Sequence, residues 1–124
     1  MSEEPRPLRL ADKCVLIVED EFLIAFDIAD QFEAAGARVL GPFADVSTTL
    51  QAIEHGDVPD AAVLDVNLGG ERSLRVAQRL AQDGIPFVFV TGYDSNCLHE
   101  ERTLAPILQK PFAFDAAVAA LFAN

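Results

Sequence analysis

VLIVEDE, residues 15–21, is the stretch that decides the fold. Four apolar residues run without a break into three carboxylates, Glu19, Asp20 and Glu21. A short unbroken apolar run suits a strand buried on both faces, as in a parallel sheet. The acids that end it are costly neighbours. Either a helix start offsets them through its dipole, or a cation does.

Working outward, AAVL (61–64) and FVFV (87–90) repeat the buried-strand pattern, and RVLG (38–41) and ILQ (107–109) are weaker candidates. Helical spacing fills the intervals. Residues 21–35 carry Phe22, Ala25, Phe26, Ala29 and Phe32 on one stripe, with Gly36 placed to end the helix. Residues 47–55 read as a second helix, with Ser47 as N-cap and Gly56 as stop. A third, 71–83, would bury Leu74, Ala77, Leu80 and Ala81, turn its arginines outward and stop at Gly84. The last, 112–122, presents Phe114, Val118, Leu121 and Phe122, while 93–105 is the poorest helix candidate. Five strands alternating with helices imply right-handed crossovers and a doubly wound parallel α/β sheet. In such sheets the functional crevice lies beyond the carboxyl ends of the strands.

Composition narrows the function classes. The chain has 124 residues, is 51% apolar and carries a net charge of −11. That size suits one domain with a proper core, after a short, loose N-terminal lead over residues 1–11. A strongly acidic chain lacks the basic patch of a nucleic-acid binder, although Arg72, Arg75 and Arg79 recur at helical spacing. No apolar run approaches a membrane span and no signal peptide opens the chain, so a cytoplasmic location is expected. Cys14 and Cys97 form neither a metal spacing nor a disulfide framework, and His55 and His99 are isolated in polar stretches.

The chemistry stands at the strand ends. Glu19 and Asp20 follow the first strand, Asp65 the third, Thr91 the fourth and Lys110 the fifth. In a parallel sheet all five project over one edge. Carboxylates crowded there need a hard divalent cation, and Mg²⁺ is the usual choice where few protein oxygens are offered. An ammonium and a hydroxyl beside such a metal suit a phosphoryl group. Singly, each residue has a plainer reading: Asp20 or Glu21 as a helix cap, Asp65 as a turn residue. The conjunction, one suitable residue ending each successive strand, is what carries the argument.

VLIVEDE, AAVLDVNL, FVFVTGY and LQKPF, in this order, resemble the receiver domains of bacterial two-component response regulators over residues 12–124. The resemblance implies the CheY-like (βα)5 fold with strand order 2-1-3-4-5; that order comes from the family and not from spacing. It implies Asp65 as phosphoacceptor, taking a phosphoryl group from a histidine kinase or histidine phosphotransfer protein. Glu19 and Asp20 match the acidic pair that holds Mg²⁺ (or Mn²⁺), with Asp65 and the backbone carbonyl of Asn67 completing the ligands. The longer glutamate leaves Asp20 as the more direct ligand. Thr91 would bond a phosphoryl oxygen, Lys110 would pair with Asp65 or the phosphoryl group, and the Lys110–Pro111 bond would be cis. Gly92 would keep the floor open, and Asn67 and Tyr93 would tune the attack of water on the acyl phosphate.

Departures from the family pattern also stand in the sequence. Ile107 occupies the position of the usual switch aromatic, the 93–105 stretch is short, and the loop after Asp65 is trimmed to NLGGE. PFVFVTGY (86–93) resembles the PFxFATGY signature of a subgroup of atypical single-domain receivers, with Val90 in place of alanine. The chain ends with its fifth helix and no DNA-binding segment is expected, which points to output through protein contacts with an unknown partner or through phosphate relay; a homodimer is open. The alternatives are a pseudo-receiver acting without phosphorylation, a receiver cut from a hybrid histidine kinase, and an aspartyl-nucleophile hydrolase. The last normally has a second acid two residues after the nucleophile, where Asn67 stands.

Overall fold

The computed structural model describes residues 9–56, 58–92 and 98–122. Five parallel strands form its sheet: β1 (Cys14–Val18), β2 (Arg38–Phe43), β3 (Ala61–Asp65), β6 (Phe87–Thr91) and β7 (Ile107–Gln109), in the order β2-β1-β3-β6-β7. With the strands counted within this sheet, that is the expected order 2-1-3-4-5. A two-stranded antiparallel hairpin, β4 (Asn67–Leu68) with β5 (Glu71–Arg72), stands between β3 and the next helix. Among the described residues five helices accompany the sheet: α1 (Phe22–Ala34), α2 (Val46–Glu54), α3 (Leu74–Gln82), α4 (His99–Leu104) and α5 (Phe114–Phe122).

The continuous apolar runs are explained by what covers them. Every residue of β1, β3 and β6 is buried. Successive side chains point to opposite faces, so each run feeds two cores. On one face Val15, Ile17, Val63, Val88 and Val90 pack with α1 and α5, where Phe32 meets Phe114 edge to face at 4.9 Å. On the other, Leu16, Val18, Leu64 and Phe89 pack with α2 and α3. Among the described residues, no helix is long and apolar enough to cross a membrane. Residues 1–8 of the expected lead lie outside the described residues, whereas Leu10 is buried and its N–H donates to the Ala35 carbonyl.

Several helix expectations need correction. The buried stripe of α1 is Ala25, Ile28, Ala29 and Phe32; Phe22 and Phe26 are exposed. Ala25, Ala29 and Phe32 of the expected stripe are buried, and Ile28 stands on it in place of Phe22 and Phe26. The cap of α2 is Asp45, not Ser47: its Oδ1 accepts the Thr48 N–H at 2.7 Å, which holds its carboxyl below the usual range. Helix α3 starts at Leu74 because residues 71 and 72 belong to the hairpin, and it buries Val76, Ala77 and Leu80 while Ala81 is exposed. Of the arginines expected to face outward, Arg72 is tied to Glu101. Helix α4 has six residues, in keeping with a weak 93–105 stretch, and α5 begins at Phe114 rather than at residue 112.

Strand β2 runs past Gly41, where the sequence pattern suggested a stop. The pairing of β1 with β2 shifts between Leu16 and Val18, and Gly41 sits at that irregularity with φ +100°. A Cβ there would lie 2.8 Å from the Phe43 nitrogen and 2.9 Å from the Ile17 carbonyl, so only glycine fits. The bulge brings the Phe43 carbonyl to the Glu19 N–H, at 2.9 Å, and so fixes the chain where the acids begin.

Candidate functional site

The five strand-end residues meet at one edge of the sheet. Glu19, immediately after β1, is 2% exposed. Its Oε2 accepts the Glu21 N–H at 2.9 Å and its Oε1 lies 2.5 Å from Lys110 Nζ. Asp20, the next residue, is exposed. Asp65 ends β3 and is 5% exposed; its Oδ1 accepts the Asn67 N–H at 3.1 Å and its Oδ2 accepts from Lys110 Nζ at 2.9 Å. Thr91 ends β6, buried, and its carbonyl accepts the Lys110 N–H at 2.8 Å. That bond pins the root of the lysine side chain between β6 and β7. Asp20, Asp65, Asn67, Gly92 and Lys110 line an open cavity of about 450 Å³.

Carboxylate oxygens of Glu19, Asp20 and Asp65 all lie within 4.8 Å of one another. Against three acids stands one ammonium. Burial is the main force on Glu19 and pushes its carboxyl up to about 7; the hydrogen bond from Lys110 opposes this and Asp65 reinforces it. Burial by itself would pull the Lys110 ammonium down, but Glu19 and Asp65 together outweigh it and its pKa is raised. A buried acid that resists ionisation beside two others marks a site short of positive charge. A hard divalent ion with oxygen ligands fits that donor set.

The structure brings Glu19, Asp20, Asp65 and Lys110 together as neighbours, with Asn67 and Gly92 on the cavity wall. A Cβ built on Gly92 would meet nothing within 4 Å, in keeping with an open floor. Ile107 is half-buried against the α2–α3 side of the core, and the Lys110–Pro111 bond is cis, as is Gly41–Pro42. Tyr93 lies outside the described residues. Two features were missed. Gly69 and Gly70, both at positive φ, form the tip of the β4–β5 hairpin, although a Gly-Gly pair is a hairpin signal the sequence does contain. The other is the buried Glu101, paired with Arg72.

The model of the response regulator receiver domain matches residues 15–122. The chain belongs to that family. Receivers are signalling phosphoacceptors rather than catalytic enzymes, and this one is similar to solved examples. The solution structure of SdrG from Sphingomonas melonis Fr1 is 46% identical, with a TM-score of 0.75 over 88% of this chain and 95% of that one. The BeF3-activated conformation of SdrG, from Pseudomonas melonis Fr1, is likewise 46% identical, with a TM-score of 0.72 over 90% of this chain and 97% of that one. Among curated proteins, the transcriptional regulatory protein PdtaR of Mycobacterium tuberculosis is 29% identical over 111 residues. That match takes in 86% of this receiver, which spans about half of the relative, 54% of its length. The family implies a kinase or phosphotransfer partner and a divalent ion for phosphorylation.

Proposed function

We propose that this receiver accepts a phosphoryl group on Asp65 from the phosphohistidine of a histidine kinase or histidine phosphotransfer protein, and passes the signal on by protein contacts. The observation that carries the reading is the disposition of the two Asp65 oxygens. One is held by a backbone N–H and the other by Lys110, at the wall of a cavity rich in acids and open to solvent. A carboxylate so oriented attacks phosphorus in line while the histidine nitrogen leaves with the bonding pair. Lys110 then neutralises charge developing on the phosphoryl oxygens, and Thr91 offers a hydroxyl to one of them. Asp20, Glu19, Asp65 and the Asn67 carbonyl would hold Mg²⁺ (or Mn²⁺), which supplies positive charge to the same oxygens. Glu19 is engaged by Lys110 and Glu21 while Asp20 is exposed beside the cavity, which supports Asp20 as the more direct ligand. Incubation with Mg²⁺ and acetyl phosphate should add one phosphoryl group, and beryllofluoride should shift the amide spectrum in a Mg²⁺-dependent way. A protein inert to both reagents would refute the reading.

A protein donor has a surface to dock on that a small donor does not need. Phe22 and Leu23 are 70% and 82% exposed at the start of α1. Beside them lies an apolar groove of about 480 Å³ lined by Leu23, Ile24, Ile28, Pro111 and Phe112. Polar substitution there, as in Leu23→Ser, should slow transfer from the protein donor roughly tenfold or more, since a well-buried apolar anchor contributes ~1–3 kcal/mol. Phosphorylation by acetyl phosphate should stay as in the wild type. Equal loss with both donors would locate the effect in the acceptor site instead.

A further inference from the structure

Glu101 is a carboxylate with no solvent exposure, on a helix of six residues. Its Oε2 accepts from Arg72 Nε at 3.0 Å and more closely from a second guanidinium nitrogen of Arg72, while its Oε1 has no hydrogen-bond partner among the described residues. Glu101 is the buried member of the pair and Arg72 is half-exposed. A paired buried charge is often no more stabilising than an apolar side chain of the same volume, so filling the space does not explain a charge here. Direction does: two N–H groups converge on one oxygen and fix the line between hairpin and helix.

That line leads to the acceptor site. Arg72 stands directly opposite Asn67 in the β4–β5 ladder, and the Asn67 N–H donates to Asp65 Oδ1 at 3.1 Å. Three links therefore separate the buried carboxylate of α4 from an acceptor oxygen. Both elements so joined are weak alone. Each hairpin strand has two residues, and α4 has no side-chain cap at Leu98.

We propose that the Arg72–Glu101 pair is a clasp that positions the Asn67 hairpin against Asp65 and couples α4 to the state of the acceptor site. The proposal rests on the reading of Asp65 as acceptor and Asn67 as a metal-site residue; Arg72 and Glu101 act through Asn67, as positioning residues. Because coupling is reciprocal, whatever α4 docking contributes to the metal site, metal binding returns to α4.

The test compares the wild type with Arg72→Ala, Arg72→Lys, Glu101→Gln and the Arg72→Ala/Glu101→Gln double variant. Mg²⁺ affinity is measured by calorimetry and α4 order by amide exchange at residues 102–105. Each single variant should bind Mg²⁺ roughly 5- to 30-fold more weakly. The double variant should be no worse than either single, and Arg72→Lys should recover part of the loss. In wild type Mg²⁺ should slow exchange in α4, and in Arg72→Ala that response should vanish. Folded single variants with wild-type Mg²⁺ affinity, or losses that add in the double variant, would overturn the clasp. Exchange in metal-free protein tests it separately: α4 amides should exchange faster in Arg72→Ala, and unchanged rates would overturn the clasp. A wild type that binds no Mg²⁺ would instead indict the reading of the acceptor site, leaving that metal-free comparison to decide the clasp.

Discussion

Asp65→Asn should form no alkali- and hydroxylamine-sensitive adduct with acetyl phosphate or with a phosphorylated donor, under conditions where the wild type is fully modified. The amide keeps the shape of the side chain but not a nucleophilic oxygen, and it removes one of the three acids whose oxygens lie within 4.8 Å. Mg²⁺ affinity should fall by about an order of magnitude with the loss of a charged ligand. Stability should move the other way. Asp65 raises the Glu19 carboxyl through a hydrogen bond and by charge, and Lys110 retains Glu19 as partner when Asp65 is neutral. Metal-free Asp65→Asn should therefore be more stable than wild type at pH 8, by ~1 kcal/mol, because one of several crowded like charges is gone. An adduct of undiminished yield in Asp65→Asn would move the acceptor to another residue. Lower stability without metal would mean that the Lys110–Asp65 bond outweighs the repulsion.

The expected gain in stability reflects the crowding of acids at the strand ends, the same feature that made the site readable from sequence. Glu19, Asp20, Asp65 and Thr91 end runs of buried residues and Lys110 follows the partly exposed β7, so strand recognition alone delivered their shared edge. Buried parallel strands read clearly because both faces are apolar and no alternation has to be interpreted. Helix faces read less well. In α1 the pattern Phe22, Phe26 competed with Ile28, and the larger residues drew the stripe although both are exposed. A tertiary contact decided that face, and one chain's periodicity does not contain it. The cap of α2 went to Asp45 in place of Ser47 because either spacing satisfies the same rule. Glu101 was illegible for a different reason: a buried charge needs a partner, and its partner is 29 residues away on a two-residue hairpin strand that no apolar pattern marks.

Glu19 gives the second large effect, and its sign runs against habit for a carboxyl. Its pKa is about 7 in the folded chain against an ordinary 4.5, chiefly because it is buried. Between those values the folded state holds a proton that the unfolded state has released, so stability falls as pH rises through that window. Below pH 4.5 Glu19 contributes nothing to the slope, and above about pH 7 the penalty is fully present. Its size is on the order of 3 kcal/mol, from the separation of the two values at 1.36 kcal/mol per unit. The raised pKa of Lys110 likewise makes stability fall as pH rises, but only at alkaline pH, outside the window. Metal-free wild type measured by denaturant unfolding should thus lose stability from pH 5 to pH 8 relative to Glu19→Gln, which has no proton to lose there. Mg²⁺ removes the difference by making the ionised form the favoured one, so its affinity should rise with pH across the same interval. Parallel stability curves for wild type and Glu19→Gln would mean that Lys110 already neutralises Glu19 in full. The site would then need its metal for phosphoryl transfer and not for the integrity of the fold.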